Sequence, residues 1–152
     1  MQALSELLTP GRTICKAPGV SKKRVFDSLA TLIAEDQISL NQHEVFTQLI
    51  AREKLGSTGL GQGIAIPHCR IANCTHPIGT LMTLDKGVDF DAIDNEPVDL
   101  LFALLVPDEA TQQHLDILAA VARLFSQGEF CLALRKASSN EELHSIATEW
   151  SQ

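Results

Sequence analysis

His68 is the residue of this 152-residue sequence that is best placed for chemistry. It follows the apolar residues 64–66 and Pro67, a run that predicts a short strand ended by the proline. Such a strand end directs the next side chain to the edge of a sheet, where functional groups often lie. Imidazole is nucleophilic, largely neutral at pH 7 and able to form a reversible phosphoramidate. A single histidine is more often structural, so the assignment depends on its neighbours.

Arg52 and His114 could complete an anion site around His68. Thr111 is a predicted helix cap, which places His114 in the first turn, where the helix dipole disfavours protonation and leaves an imidazole that donates one hydrogen bond. Arg52 lies near the end of another predicted helix, four residues before a glycine-rich segment. Its guanidinium is the planar, permanently charged donor that phosphate prefers. Considered singly, Arg52 is better explained as an ordinary charge at a helix C-terminus.

Residues 56–63, with the sequence Gly-Ser-Thr-Gly-Leu-Gly-Gln-Gly, form a segment that neither a helix nor a central strand would favour. A dinucleotide site needs a strand, then glycines, then a helix, whereas the predicted order here is helix, glycines, strand. The Gly-Lys-Ser/Thr of a phosphate-binding P-loop is also missing from the sequence. The segment could expose backbone N–H groups to an oxyanion, or it could be a flexible connection.

The cysteines and the acidic residues do not predict a metal site. Four cysteines in a chain of this type are expected to be free thiols, and their spacing with the histidines matches no common zinc pattern. A cluster of acidic residues between two predicted strands lacks the glycine and the spacing of a calcium-binding loop. We expect solvated turn residues there, and no metal or cofactor. The cysteines are Cys15, Cys69, Cys74 and Cys131, and the acidic residues are Asp89, Asp91, Asp94 and Glu96.

Composition argues against several other classes of protein. The net charge of −7 argues against a nucleic-acid partner, because phosphate backbones require a basic face. The basic run at residues 22–24 is short and is interpreted as a solvated helix edge. The sequence has no run of about 18 apolar residues, and its first residues lack the features of a signal peptide. We therefore expect a cytoplasmic protein without membrane insertion, with one domain over residues 1–152.

Hydrophobic spacing and capping residues predict an α/β sandwich. The strand at residues 98–106 is nearly continuous in apolar residues, which suits a central strand covered on both faces. Several connections between strands are too short for helical crossovers, so the sheet should be mixed, with helices on both sides. Residues 3–15 are expected to be irregular apart from a short strand. The predicted strands are 12–15, 64–66, 78–84 and 98–106, and the predicted helices are 22–36, 42–55, 112–127, 130–136 and one capped by Ser139.

Two segments resemble the signatures of a known family. Residues 52–68, from Arg52 through the glycines to His68, closely resemble the active-site signature of the fructose/mannitol-type enzyme IIA family of the bacterial phosphotransferase system. Residues 91–107 look like the second signature of the nitrogen-regulatory branch of that family. The resemblance extends over essentially the whole chain. One departure is Cys69, which stands where the family usually has glycine, and a cysteine cannot readily adopt positive φ.

The resemblance implies a role for each site residue. His68 would be the phosphorylated histidine, and Arg52 and His114 would flank the phosphoryl group. The sheet would be mixed and about five-stranded. The loop that shapes the pocket and binds phosphate would contain Ser57, Thr58 and Gly59.

The implied function is that of a regulatory phosphocarrier, an enzyme component that transfers phosphoryl groups between histidines. The donor would be an HPr-like phosphocarrier of the NPr type, and the regulated targets would be proteins such as transporters or kinases. We expect Nε2 of His68 to attack while a backbone carbonyl holds Nδ1–H. Two alternatives stay open: a sugar-specific fructose/mannitol-type IIA component, and a binding regulator that has lost phosphotransfer.

Overall fold

A mixed sheet with helices on both faces forms the centre of the computed structural model, which describes residues 3–109 and 111–150. This agrees with the predicted α/β sandwich. The strands are β1 (Thr13–Ala17), β2 (Gly59–Gly61), β3 (Ile64–Ala65), β4 (His68–Ile71), β5 (Ile78–Val88) and β6 (Val98–Pro107). The helices are α1 (Ala3–Leu7), α2 (Lys22–Asp36), α3 (Gln42–Leu55), α4 (Gln112–Phe125), α5 (Gly128–Lys136) and α6 (Asn140–Glu149), and a 3₁₀ turn spans Pro10–Arg12.

The strands occupy five positions side by side in the order β1-β5-β6-β3-β2. β5 and β6 are antiparallel, whereas β1 runs parallel to β5 and β3 runs parallel to β6. β4 is a sixth segment in the same position as β3, because β3 pairs with residues 100–101 of β6 and β4 pairs with residues 104–107. The mixed sheet of about five strands is therefore confirmed, with one strand position divided between two segments.

β6 is buried on both faces, as its continuous apolar sequence predicts. Successive side chains of a strand point to opposite faces, so β6 supplies two separate cores. The core under α2 and α3 receives Leu101, Ala103 and Leu105, and the core under α4, α5 and α6 receives Leu100, Phe102 and Leu104.

The helices begin where the capping residues predict. The Ser21 side chain accepts from the Arg24 N–H, Asn41 accepts from Glu44 N–H, and Ser139 accepts from Glu142 N–H. Helix boundaries agree with the predictions within about two residues. In the described part of the chain, no single helix is long and apolar enough to cross a membrane. Within the same described residues, one bent pair of helices, α4 and α5 at 77° to each other, reaches that length and composition when the two are taken together.

The N-terminal segment contains more regular secondary structure than the irregular start that the sequence predicts. It contains α1 and the 3₁₀ turn, and the strand begins at Thr13 rather than Arg12. Arg12 is buried, donates to the carbonyl oxygens of Leu7 and Gly79, and forms an ion pair with Asp36. These long-range partners for a buried guanidinium were not visible in the local sequence.

The predicted short strand before Pro67 is confirmed as β3, but the sequence analysis missed that a second strand, β4, begins directly after the proline. Pairing with β6 stops for Ile66 and Pro67 and then resumes at His68, so His68 is the first residue of β4 rather than a residue beyond the strand. The Pro67 carbonyl still accepts from the Leu104 N–H at 2.8 Å, since proline lacks only the donor. The proline therefore lies in the break between β3 and β4, which share one position beside β6.

Gly19 marks a close approach between the segment before α2 and β5. A Cβ at this position would lie 1.9 Å from the carbonyl oxygen of Lys86, so Gly19→Ala should force a backbone shift and lower the free energy of unfolding by about 1–3 kcal/mol. Gly128→Ala is the control, because a Cβ there meets no atom within 4 Å and alanine favours the first turn of α5. Chemical denaturation compares the two variants, and equal stabilities would contradict the close approach.

Candidate functional site

A cavity of about 680 Å³ lies along the free edge of β4, between α3 and α4. β4 pairs with β6 on one side, and no described strand pairs with its other side. Arg52 at the end of α3, His68 at the start of β4 and His114 in the first turn of α4 all line this cavity. The structure thus brings together three residues that lie far apart in the sequence.

The His68 ring is fixed by one hydrogen bond. Its Nδ1 lies 2.7 Å from the carbonyl oxygen of Ile66, at the interruption between β3 and β4. A carbonyl can only accept, so the partner assigns the proton to Nδ1. The lone pair is then on Nε2, which is the nitrogen free to act as a nucleophile.

Burial is the main influence on the pKa of His68, and it lowers that pKa because the charged imidazolium is poorly solvated. The hydrogen bond to Ile66 opposes this by raising the pKa, whereas the nearby Arg52 charge lowers it and the Glu53 charge raises it. The net pKa lies below the ordinary histidine value. His68 is therefore mainly neutral at pH 7 and keeps its nucleophilic lone pair.

His114 is oriented by the cap of its own helix. Its Nδ1 accepts from the backbone N–H of Thr111 at 3.3 Å. In a common capping box, a glutamate at the same position of the helix accepts this hydrogen bond. An imidazole that accepts at Nδ1 carries its proton on Nε2. His114 is thereby arranged as a hydrogen-bond donor at Nε2, and its contact with a phosphoryl group stays a prediction.

Arg52 is held near the cavity by the end of α3. Its Nη1 donates to the carbonyl oxygen of Gly56 at 2.8 Å, which occupies one of the five guanidinium N–H groups. The remaining donors can bind an anion, and the fixed fork geometry of the guanidinium suits the oxygens of a phosphoryl group.

The predicted phosphate-binding loop does not line the cavity. The Ser57 hydroxyl donates to the Phe90 carbonyl at 2.8 Å and accepts from the Gly59 N–H at 3.1 Å. Thr58 is buried and donates its hydroxyl to Glu53 at 2.6 Å. The Ser57 and Thr58 hydroxyls and the Gly59 N–H thus have partners within the loop and its supports, and direct phosphate contacts from Ser57, Thr58 and Gly59 stay a prediction.

Arg70 is a cavity residue that the sequence analysis missed. It lies two residues after His68 on β4, and residues two apart share one face of a strand. The alternation of side chains along a strand could have identified Arg70, but the predicted strand ended at Pro67 and did not include Arg70. Gln48 and Asp108 also line the cavity and were missed for lack of any local signal.

Cys69 has an ordinary strand backbone. The described non-glycine residues with positive φ do not include Cys69, so the usual glycine of the family is not needed for the backbone here. Burial raises the pKa of the Cys69 thiol to about 12. Cys69 therefore stays protonated and is not a nucleophile at neutral pH.

The acidic residues after β5 form hydrogen-bonded turns. Asp94 accepts from the backbone N–H groups of Gln62 and Glu96, and Asp89 accepts from the N–H of Asp91. The bond from Gln62 is the main cause of a lowered pKa for Asp94. These contacts agree with the predicted turns, and Asp94 also attaches the loop before β3.

The arrangement can support transfer of an anionic group to nitrogen. Nε2 of His68 supplies a lone pair, Arg52 supplies a permanent positive charge, and His114 supplies an N–H donor. In phosphoryl transfer, donors of this kind stabilise the oxygens that carry charge in the transition state.

Comparison with known proteins covers nearly the whole chain. Residues 6–150 match the model of the family described as the phosphoenolpyruvate-dependent sugar phosphotransferase system, EIIA 2. A nitrogen regulatory protein of Pseudomonas aeruginosa is 47% identical over 149 residues, which cover 98% of this chain and 97% of that protein. A nitrogen regulatory protein of Escherichia coli is 44% identical over 147 residues, covering 96% and 90% respectively. The crystal structure of the nitrogen regulatory protein IIA-Ntr from Neisseria meningitidis superposes with a TM-score of 0.86 at 44% identity, covering 95% of this chain and 99% of that one.

Replacing Arg52 with glutamine should raise the pKa of His68, because the guanidinium charge is one of the causes that lower it. Titration of the His68 imidazole by NMR measures this change directly. Arg123→Gln is the matched control, since it removes the same charge from an exposed position on α4. A His68 pKa that is equal in the two variants would show that Arg52 does not act on the imidazole.

Proposed function

The chain belongs to the EIIA 2 family of the phosphoenolpyruvate-dependent sugar phosphotransferase system, and we propose that it is a regulatory phosphocarrier of the nitrogen type, phosphorylated on His68. The observation that carries the site assignment is the bond from His68 Nδ1 to the Ile66 carbonyl. It leaves Nε2 unprotonated in the cavity that Arg52 and His114 also line. The identity of 47% to a nitrogen regulatory protein supports the nitrogen type over a sugar-specific component.

The proposed reaction moves one phosphoryl group from a phosphohistidine donor to His68. The donor is an HPr-like phosphocarrier of the NPr type. Nε2 attacks the phosphorus in line, the donor's P–N bond breaks, and its electron pair returns to the donor imidazole. The transition state is loose and places charge on the three equatorial oxygens. Arg52 and His114 stabilise these oxygens through N–H donors that are already oriented.

Regulation follows from the charge that phosphorylation adds. A phosphoryl group contributes about two negative charges at the mouth of the cavity. Leu55 and Leu115 line that cavity and remain 85% and 57% exposed, which provides an apolar surface around the added charge. A change of charge within such a surface switches which partner binds. We propose that the targets are cytoplasmic parts of transporters or kinases.

The purified chain should gain the mass of one phosphoryl group when incubated with phosphoenolpyruvate and the general phosphotransferase enzymes. The gain should be acid-labile and absent from His68→Ala, as measured by intact mass. His43→Ala is the control, because His43 is exposed on α3 and does not line the cavity. No gain in the wild type, with donors that phosphorylate a known acceptor, would favour a binding regulator that is not phosphorylated.

The phosphate should be attached to Nε2, because Nδ1 donates to the Ile66 carbonyl. Nitrogen-15 NMR of the phosphorylated protein distinguishes the two ring nitrogens by their chemical shifts. Attachment to Nδ1 would contradict the proposed tautomer, while leaving His68 as the carrier.

A further inference from the structure

Glu53 is a buried carboxylate that follows Arg52 in the sequence but lies outside the lining of the His68 cavity. Its oxygens accept the Thr58 hydroxyl at 2.6 Å and the Thr58 backbone N–H at 3.2 Å. Oε2 also lies 2.6 Å from Nζ of Lys22, with only 6% of the Glu53 side chain exposed. A buried charge needs such partners, and together they hold it in one place.

Lys22 connects this carboxylate to the turn after β5. Its Nζ donates to the Phe90 carbonyl at 3.0 Å and lies 5.0 Å from the centre of the Phe90 ring. The same carbonyl accepts from the Ser57 hydroxyl at 2.8 Å. Glu53 is therefore attached to α2, to the glycine-rich loop and to the turn that supports this loop.

A continuous series of hydrogen bonds leads from Glu53 to His68. Thr58, which Glu53 holds, accepts at its carbonyl oxygen from the Ile66 N–H at 3.1 Å. The Ile66 carbonyl in turn accepts from Nδ1–H of His68 at 2.7 Å. Three hydrogen bonds thus join the Glu53 carboxylate to the reactive imidazole, and each passes through a residue of the loop or of the strand interruption.

We infer that Glu53 is a positioning residue for phosphoryl transfer to His68. By holding Thr58 it keeps the Ile66 carbonyl in the place that retains the proton on Nδ1 and leaves Nε2 free to attack. This role rests on the proposed function, because it takes His68 as the attacking residue. The Glu53 charge also acts on His68 in the opposite sense to Arg52, raising the pKa that the guanidinium lowers.

A purely structural role for Glu53 predicts different results. Removing one partner of a buried ion pair destabilises a protein because the other charge is left uncompensated. That effect alone would change the stability of the fold, and loss of the charge would lower the pKa of His68, without moving the tautomer of His68 or speeding the exchange of its Nδ1–H. The tautomer and the Nδ1–H exchange therefore separate the two roles.

The test compares full-length wild type, Glu53→Gln and the control Glu35→Gln. The glutamine keeps an acceptor for Thr58 but removes the charge, and Glu35 is an exposed residue of α2 that loses the same charge. For Glu53→Gln we expect a lower His68 pKa and faster exchange of its Nδ1–H by NMR. Phosphoryl transfer from the phosphorylated donor should slow by about tenfold or more, because small misplacement of a reacting group is costly. Glu35→Gln should behave as the wild type does in all three measurements.

A second pair of variants tests the same connection from the loop. Thr58→Val removes the hydroxyl that donates to Glu53 at 2.6 Å, whereas Thr58→Ser retains it. The valine variant should transfer phosphate more slowly than the serine variant and show faster Nδ1–H exchange at His68. This pair decides the role of Glu53 if Glu53→Gln does not fold.

Two results would overturn the inference. One is a folded Glu53→Gln variant whose His68 pKa, Nδ1–H exchange rate and phosphoryl-transfer rate equal those of Glu35→Gln. The other is that Thr58→Val and Thr58→Ser transfer phosphate and exchange the His68 Nδ1–H at equal rates. If the wild type itself accepts no phosphate, the proposed function fails instead. The NMR comparison of His68 then still decides whether Glu53 positions the imidazole, because it requires no phosphoryl transfer.

Discussion

Burial of β6 on both of its faces is the constraint on which the rest of the fold depends. β3, β4 and β5 all pair with it, and its alternate side chains enter both cores. A strand of this kind needs a helical layer on each side, because each exposed face would leave several apolar side chains in water. α2 and α3 supply one layer, and α4, α5 and α6 supply the other. The candidate cavity lies where these two layers meet beside the edge of the sheet.

The break between β3 and β4, beside β6, is the feature of the sheet that forms the candidate site. β3 and β4 share one position of the sheet, and the break at Ile66 and Pro67 frees the Ile66 carbonyl from strand pairing to accept from His68. Among the described strands, β2 pairs only with β3, so the edge beside β4 stays open for the cavity. α3 ends at this edge and contributes Arg52, and α4 begins there and contributes His114. The break thus leaves a backbone carbonyl at the sheet edge that orients the His68 imidazole.

The groups around His68 act on its pKa in opposite directions. Burial lowers the pKa of the imidazole and keeps it neutral, and the Arg52 guanidinium acts in the same direction. The Ile66 carbonyl and the Glu53 carboxylate act in the opposite direction. Both sets of groups are attached to the same loop, so the geometry and the charge of the site depend on the same few hydrogen bonds.

The local sequence was sufficient for the helix caps and for the central apolar strand. The candidates His68, Arg52 and His114 came from residue type together with the family resemblance, and their roles stay predictions. Caps and strand periodicity are local properties, since their partners lie within a few residues. The continuation of the strand past Pro67, and with it the position of Arg70, was decided by pairing with β6.

The inward bonds of Thr58 and the ion pair of Glu53 with Lys22 were also decided by tertiary structure. The ion pair joins residues 31 positions apart, and such a partner is chosen by how the helices pack over the sheet. The sequence by itself therefore determined the caps, the central apolar strand and which side chains are candidates for chemistry. Tertiary structure decided which of them share a cavity and which hydrogen bonds orient them, because packing sets the distances between residues remote in the chain.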